Sequence, residues 1–233
     1  MNIAIITARG GSKRIPHKNI REFCGKPILA YSIEAAINSG QFDEVMVSTD
    51  DNFIAQLALK YGAKVPFMRS EKTSDDFATT EDVIKEVIEM YKQEGRTFDI
   101  YCCIYPTAPF ITSKKLQEAI EKFIKSGASF LTPVVKYSYP PQRCLIVKDD
   151  LLQMKWPEFR RTRSQDLEPW YHDCGQFYIG NINTFLQVGM SNGPTIPFIL
   201  SETEVQDIDT EEDWKIAEMK YKLMHSIGGR KDL

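Results

Sequence analysis

Residues 3–19 read Ile3-Ala4-Ile5-Ile6-Thr7-Ala8-Arg9-Gly10-Gly11-Ser12-Lys13-Arg14-Ile15-Pro16-His17-Lys18-Asn19. The first five residues form an apolar run of strand length, and a basic, glycine-rich loop follows them directly. A helical pattern of apolar residues then extends from Pro27 to about Ser39. A strand, a loop and a helix in this order predict the opening unit of an α/β domain.

Strand and helix patterns continue to alternate along the first half of the chain. Strands are predicted at Glu44–Ser48, Lys64–Met68, Phe98–Tyr105 and Ser129–Val135, and helices at Asn52–Tyr61, Glu81–Gln93 and Lys114–Lys125. Such alternation favours parallel strands joined by helices that cover both faces of one sheet. We therefore predict an α/β fold, with a Rossmann-like, mostly parallel sheet in a single domain over residues 1–233.

The regular alternation stops between residues 136 and 168. Prolines, arginines and short strands such as Leu145 to Val147 replace it, so we interpret this segment as an inserted arm. Strand patterns return at Gln176–Ile179 and Thr195–Leu200, and a helix is predicted from about Glu211 to His225.

Composition narrows the class of protein. The formal net charge is −3 for 233 residues. This charge argues against a nucleic-acid partner, because a nucleic-acid-binding protein needs many Lys and Arg side chains to neutralise phosphates. No apolar run is long enough to span a bilayer, so we expect no membrane segment and a cytoplasmic location. The five cysteines are odd in number and lack metal-ligand spacing, which favours mostly buried thiols in a reducing compartment.

The basic loop has the composition of a phosphate site. The adjacent Gly10 and Gly11 let successive backbone N–H groups converge on an anion, and Arg9, Lys13 and Lys18 add positive charge. Ligands of α/β sheets bind where this loop lies, beyond the carboxyl end of a strand. The loop matches neither a P-loop nor a dinucleotide fingerprint. The alternative interpretation is a flexible basic loop without a ligand.

Two acidic groups are candidates for the same site. Asp207 and Asp209 lie two residues apart, so on an extended segment both carboxylates point the same way, as oxygen ligands for one Mg²⁺ would. Asp209 could instead cap the final helix. Asp50 ends a predicted strand at the ligand edge, and it too could be a helix cap.

These motifs together resemble those of the CMP-sialic acid synthetases, also called acylneuraminate cytidylyltransferases. The resemblance begins with Arg9 to Asn19 and extends to Val47-Ser48-Thr49-Asp50, Ser74-Asp75-Asp76-Phe77-Ala78-Thr79-Thr80, Pro106-Thr107-Ala108-Pro109 and Asp207-Ile208-Asp209-Thr210. It implies a fold of nucleotidyltransferase type and an Mg²⁺-dependent enzyme. Such an enzyme transfers CMP from CTP to an acidic nine-carbon 2-keto sugar and releases pyrophosphate. It also implies a homodimer paired through the arm at residues 136–168.

The resemblance assigns roles to particular residues. Lys18 and Arg9 are the expected catalytic residues, and Asp207 and Asp209 the expected metal ligands. The expected nucleotide-binding residues are Ala8, Arg9, Gly10, Gly11, Ser12, Lys13, Asn19, Asp50, Thr80 and Thr107.

A second region is expected to bind the sugar. Three arginines in four residues suit its carboxylate, since a guanidinium grips a carboxylate through two parallel hydrogen bonds. The alternative is a solvated basic surface. Gly175 would allow close approach, and nearby aromatic rings would pack on sugar faces. The predicted sugar-binding residues are Tyr105, Arg160, Arg161, Arg163, Gln165, Tyr171, Gly175, Gln176, Phe177 and Tyr178.

Two departures from the sialic-acid pattern bear on the choice of sugar. Tyr105 stands where a glutamine usually precedes Pro-Thr, and Cys174-Gly175-Gln176 replaces Asn-Gly-Ala. The run around them resembles the pseudaminic acid branch. Alternatives are N-acetylneuraminate, legionaminate or Kdo, or a non-catalytic nucleotide-binding regulator, against which Lys18 and the aspartate pair argue. For His172, packing or hydrogen bonding is at least as well supported as acid–base catalysis.

Overall fold

A computed structural model of the chain describes residues 1–228. None of the helices within this range combines the length and hydropathy needed to cross a membrane. The strands are β1 Asn2–Thr7, β2 Glu22–Phe23, β3 Lys26–Pro27, β4 Glu44–Ser48, β5 Ile100–Ile104, β6 Phe130–Lys136, β7 Leu145–Lys148, β8 Leu151–Met154, β9 Tyr171–Asp173, β10 Phe177–Asn181 and β11 Thr195–Leu200. The α-helices are α1 Ile28–Ser39, α2 Asn52–Lys60, α3 Thr80–Gln93, α4 Ser113–Ser126, α5 Ile182–Val188 and α6 Glu211–Gly228.

Seven strands form one central sheet in the order β11-β6-β10-β5-β1-β4, and β9 adds to β6. Strand β1 pairs in parallel with β4 and β5, and β6 pairs in parallel with β11. Strand β10 lies antiparallel between β5 and β6, and β9 is also antiparallel to β6. The predicted α/β class and mostly parallel sheet are therefore confirmed.

Helices cover both faces of this sheet, and β1 shows how the sequence achieves it. Ala4 and Ile6 point into a core shared with α1 and α4, whereas Ile3 and Ile5 point into a core shared with α3 and α5. Side chains alternate between faces along a strand, so a strand covered on both sides must be apolar throughout. All four side chains are fully buried.

One predicted strand does not form. The segment predicted as a strand at Lys64–Met68 makes only an isolated bridge between Lys64 and Met46 and then continues without regular structure. Pro66 is the physical reason, because it has no N–H to donate to a strand ladder. The prediction of a strand there was wrong.

The segment from 136 to 168 departs from the central sheet as predicted. Its main element is the hairpin β7–β8, which forms a separate two-stranded sheet. Sequence reasoning found β7 but not β8. Five apolar side chains of the hairpin are exposed: Leu145, Ile146, Val147, Leu151 and Leu152.

All five cysteines lie within the described residues and are free thiols. Cys102, Cys103 and Cys174 are buried, as expected for most of them. Burial raises the pKa of Cys103 and of Cys174 to about 12, so both are protonated at neutral pH. These thiols serve as packing groups and not as nucleophiles.

Candidate active site

A cleft of about 450 Å³ opens where the parallel strands β1 and β5 end. Its lining combines the glycine-rich loop, the segment before α3, the residues after β5 and the segment before α6. The lining residues are Thr7, Arg9, Ser12, Lys13, Arg14, Ile15, Lys18, Asn19, Arg69, Asp76, Ala78, Thr79, Thr80, Val83, Tyr105, Pro106, Thr107, Asp207 and Asp209. The cleft therefore brings the predicted phosphate loop and the predicted metal ligands together.

Two aspartates after β4 fix the glycine-rich loop. The N–H of Gly10 donates to Asp50 Oδ1 at 2.8 Å. A Cβ on Gly10 would lie 2.8 Å from Asp51 Oδ2, so only glycine fits this approach. Asp51 caps α2 by accepting from the N–H of Phe53 at 2.7 Å. Asp50 is thus a loop anchor, and its alternative role as the helix cap is wrong.

The cations of the loop meet acidic groups from the segment before α3. Arg9 Nη1 lies 2.7 Å from the carbonyl oxygen of Asp75 and 3.1 Å from Asp76 Oδ1. Lys13 forms an ion pair with the same Asp76 carboxylate. The hydrogen bond and charge of Lys13, followed by Arg9, hold the pKa of Asp76 below its usual value. One carboxylate therefore pairs with two of the cations that the sequence predicts to bind phosphate.

Lys18 joins the loop to the acidic pair. Its Nζ donates to the carbonyl oxygen of Ile208 at 2.6 Å and lies 3.5 Å from Asp209 Oδ1. The lysine side chain is 19% exposed, so water screens its charge only in part. The buried Asn19 donates from Nδ2 to the carbonyl oxygen of Arg9 at 2.8 Å. Asn19 thereby fixes the backbone of the loop at Arg9.

The remaining predicted nucleotide residues lie in or directly behind the cleft. Ser12, Thr80 and Thr107 line it, whereas Ala8 is buried and donates its N–H to the carbonyl oxygen of Ser48 at 3.0 Å. Gly11 has no atom within 4 Å of a Cβ built on it. The loop therefore presents an open backbone surface at this position.

Both predicted metal ligands face the cleft. Asp209 accepts from Arg14 Nη2 at 2.8 Å. Thr210 and Asp213 cap α6, since Asp213 Oδ2 accepts the Thr210 N–H at 2.8 Å and Thr210 Oγ1 accepts the Asp213 N–H at 3.2 Å. The alternative role of Asp209 as helix cap is therefore wrong. Partial burial, followed by the charge of Asp209, raises the pKa of Asp207.

These carboxylates fit a magnesium ion. Among residues 1–228, no group of three or more His, Cys, Asp and Glu side chains is placed to hold a metal by itself. Mg²⁺ is commonly held by one or two carboxylates together with substrate phosphates, so Asp207 and Asp209 form a suitable donor set. Burial, followed by the negative charge of Asp209, raises the pKa of Asp207, and a bound cation would offset both effects.

Some of the predicted sugar residues lie beside these carboxylates. Tyr105 lines the cleft, and its ring packs edge-on against Tyr178 with centroids 5.5 Å apart. Gly175 has φ +60°, and a Cβ there would lie 3.5 Å from Asp207 Cγ. Gln176 and Phe177 are completely buried, so neither side chain reaches the cleft in this structure. Phe177 packs against the core, and Gln176 Nε2 donates to the carbonyl oxygen of Cys174 at 3.2 Å.

The other predicted sugar residues lie outside the cleft of their own chain. Four exposed side chains of the arm are not among its lining: Arg160, Arg161, Arg163 and Gln165. Tyr171 is exposed on β9, where it pairs with Lys136. The ring of His172 packs 4.7 Å from that of Tyr137, in agreement with a packing role.

Sequence reasoning missed two arginines of the cleft. Arg14 belongs to the quoted loop and could have been included on that ground. Arg69 is buried, donates from Nη2 to the carbonyl oxygen of Ser48 at 2.7 Å, and has a pKa lowered by burial. Its N–H also donates to the carbonyl oxygen of Thr49 at 2.8 Å. No local pattern marks Arg69, because this pairing joins segments 20 residues apart.

A basic, glycine-rich loop that faces paired carboxylates at the carboxyl edge of the sheet is the arrangement expected of a nucleotide-dependent transferase. A family model described as "Cytidylyltransferase" matches residues 3–143. The chain belongs to this cytidylyltransferase family and is a nucleotidyltransferase. The predicted resemblance to the CMP-sialic acid synthetases is confirmed.

Relatives match nearly the whole chain. The pseudaminic acid cytidylyltransferase of Campylobacter jejuni is 43% identical over 226 residues, which are 96% of this chain and 97% of the relative. The CMP-N,N'-diacetyllegionaminic acid synthase of Legionella pneumophila is 36% identical over 95% of this chain and 96% of its own. Among solved structures, a CMP:2-keto-3-deoxy-manno-octonic acid synthetase complexed with CTP has a TM-score of 0.68 at 18% identity, covering 97% and 99% of the two chains. That structure supports the fold alone.

The close approach at Gly10 yields a stability prediction. Gly10→Ala should lower the free energy of unfolding by about 1–3 kcal/mol, because its Cβ would overlap the side chain of Asp51. Gly11→Ala, with no atom within 4 Å, should change it by less than about 0.5 kcal/mol. Urea unfolding of both variants without nucleotide measures the difference. Equal stability of the two would contradict the assigned packing.

Proposed function

We propose that this enzyme transfers CMP from CTP to pseudaminic acid, giving CMP-pseudaminic acid and pyrophosphate. The observation that carries the assignment is the 43% identity to a pseudaminic acid cytidylyltransferase, which extends over 96% of this chain. The positive loop and the facing carboxylates provide the chemistry that such a transfer needs.

The proposed reaction is an in-line attack of the sugar hydroxyl on the α-phosphorus of CTP, with pyrophosphate as the leaving group. Arg9, Lys13 and the N–H groups near Gly11 hold the phosphates, while Lys18 faces the charge that develops during transfer. Mg²⁺, held by Asp207 and Asp209, would neutralise part of the triphosphate charge when bound. Catalysis of this kind depends mainly on position and charge stabilisation.

The cations around the cleft have defined partners that a triphosphate can replace. When CTP binds, Arg9 and Lys13 would leave Asp76 and bind phosphate oxygens instead. Arg14 would leave Asp209 in the same way. These ion pairs are largely exposed, so each contributes little to the stability of the free chain. The partially buried Lys18 stays near Ile208, where it is already positioned.

The identity of the sugar is tested by a matrix of substrates. Four nucleoside triphosphates are crossed with pseudaminate, N-acetylneuraminate, legionaminate and Kdo, and pyrophosphate release is measured. We expect CTP with pseudaminate to give a kcat/KM at least about tenfold above any other pair, since unpaired buried polar groups cost about 1–3 kcal/mol each. Comparable efficiency with a second sugar would refute the assignment to pseudaminate. The absence of pyrophosphate from every pair would favour the non-catalytic regulator.

The metal assignment is tested at Asp209. Asp209→Ala removes one oxygen ligand, so the Mg²⁺ concentration for half-maximal turnover should rise at least about tenfold, and calorimetry should show weaker Mg²⁺-dependent CTP binding. Glu212→Gln, an exposed change in the first turn of α6, is the control and should behave as wild type. Wild-type turnover of Asp209→Ala at low Mg²⁺, with unchanged circular dichroism, would reject the assignment.

We further propose a homodimer formed through the arm, acting in the cytoplasm. The exposed fractions on the hairpin β7–β8 are 56% for Leu145, 72% for Val147 and 69% for Leu152. Contact of these apolar side chains with water is unfavourable, and packing against a second copy of the chain would remove it. The exposed arginines of the same arm would then be available to the cleft of the partner subunit. Five free thiols suit a reducing compartment, which supports the proposed location.

The dimer is tested on one cross-strand pair of the hairpin. Val147 pairs with Leu152, so the double variant Val147→Asp/Leu152→Asp places two charges at the proposed interface. We expect light scattering to show a dimer for the wild type and a monomer for the variant. Leu59→Asp, on the exposed face of α2, is the control and should leave the mass unchanged. A wild-type monomer at micromolar concentration would disprove the proposal.

A further inference from the structure

The hydroxyl of Tyr178 is already engaged within the chain. It lies 2.8 Å from Asp173 Oδ1 and 2.9 Å from Asp173 Oδ2, and donates its single proton to that carboxylate. The tyrosine side of this contact is also enclosed, since Tyr178 is 7% exposed. Tyr178 therefore has neither a free proton nor much surface to offer to a sugar.

Asp173, the partner of Tyr178 in this contact, is the solvent-exposed residue of the two. Its Oδ1 also accepts the N–H of Gly175 at 2.7 Å. Two donors, the Tyr178 hydroxyl and the Gly175 N–H, fix the carboxylate, while solvent still reaches it. A carboxylate has about four acceptor positions, so this one retains capacity for a further donor.

Two partners of the Asp173 carboxylate connect it to residues that line the cleft. Gly175, which it binds, approaches Asp207 so closely that a Cβ there would lie 3.6 Å from Asp207 Oδ1. Tyr178, its other partner, packs on Tyr105 of the cleft lining. Tyr105 in turn lies near Thr80, with 3.3 Å between the two hydroxyl oxygens. A chain of contacts therefore leads from Thr80 in the cleft, through the two tyrosines, to Asp173.

We infer that Asp173 is a specificity-determining residue for the acidic sugar, whose hydroxyl or amide N–H donates a hydrogen bond to its carboxylate. This inference rests on the proposed function and deepens it. A carboxylate held in a fixed position increases the affinity for a substrate that presents a hydrogen-bond donor to it. It lowers the affinity for a substrate that presents an oxygen acceptor or a carboxylate at that point, because the two groups repel. The sugar carboxylate is therefore directed away from Asp173.

The inference is tested with Asp173→Asn and Tyr178→Phe, assayed with CTP and pseudaminate. Asp173→Asn should raise the KM for the sugar at least about tenfold, because a charge-assisted hydrogen bond is lost, while the KM for CTP changes less than about twofold. Tyr178→Phe keeps the exposed carboxylate and should raise the sugar KM by a smaller factor. Glu94→Gln, the same chemical change at the far end of α3, is the control.

Thermal melting checks that each variant is folded, and titration with CTP alone checks its nucleotide site. A sugar KM within about twofold of wild type for Asp173→Asn would overturn the inference. So would an equal rise in both variants, since that outcome assigns Asp173 to structural support of Tyr178. A rise in the KM for CTP alone would also overturn it. Failure of the wild type to use any acidic sugar would instead refute the proposed function and, with it, this inference.

Discussion

The concentration of positive charge at the end of β1 is the constraint on which the site depends. Arg9, Lys13, Arg14 and Lys18 lie within ten residues, and their mutual repulsion would open the loop if nothing opposed it. Asp76 and Asp209 oppose it from two distant segments of the chain. The positive charge of the loop therefore draws these two segments to it, and the same charge would attract the triphosphate of the proposed substrate.

This arrangement also explains the backbone of the loop. If the loop is to exchange carboxylates for phosphates, as proposed, it must keep its shape during the exchange, so it needs anchors that are independent of the cations. Asp50 holds the N–H of Gly10, and Asn19 holds the carbonyl oxygen of Arg9. Both anchors act on the main chain. The cationic side chains are thereby left to change partners at small cost.

Local patterns in the sequence determine how much of this could be predicted. The strands, the helices, the phosphate loop and the aspartate pair follow from apolar periodicity and from residues close in sequence. The contact of Arg69 with Ser48 follows from tertiary placement, which no local period records. The contact of Asp173 with Tyr178 joins residues only five apart, but it depends on the turn at Gly175, whose φ of +60° no apolar period records. The failed strand at Lys64–Met68 shows the converse, since an apolar pattern was overridden by Pro66. Burial of Gln176 depends on where β10 begins, and strand ends are poorly defined by sequence.

The two halves of the cleft differ in the sign of their charge, and this difference constrains how an acidic sugar can bind. The loop half is cationic, whereas Asp207 and Asp209 make the facing wall anionic. Asp173 lies outside this lining but adds negative charge next to it, because it binds Gly175, which lies beside Asp207. A sugar with one carboxylate and several hydrogen-bond donors can satisfy both walls only when its donors face Asp173. Its carboxylate must then meet a cation elsewhere. The cations that line the cleft bind carboxylates or backbone oxygens, whereas Arg160, Arg161 and Arg163 of the arm are exposed. In the proposed dimer, the arm arginines of the partner subunit would be available to the sugar carboxylate, and the choice of sugar would then depend on assembly of the chain.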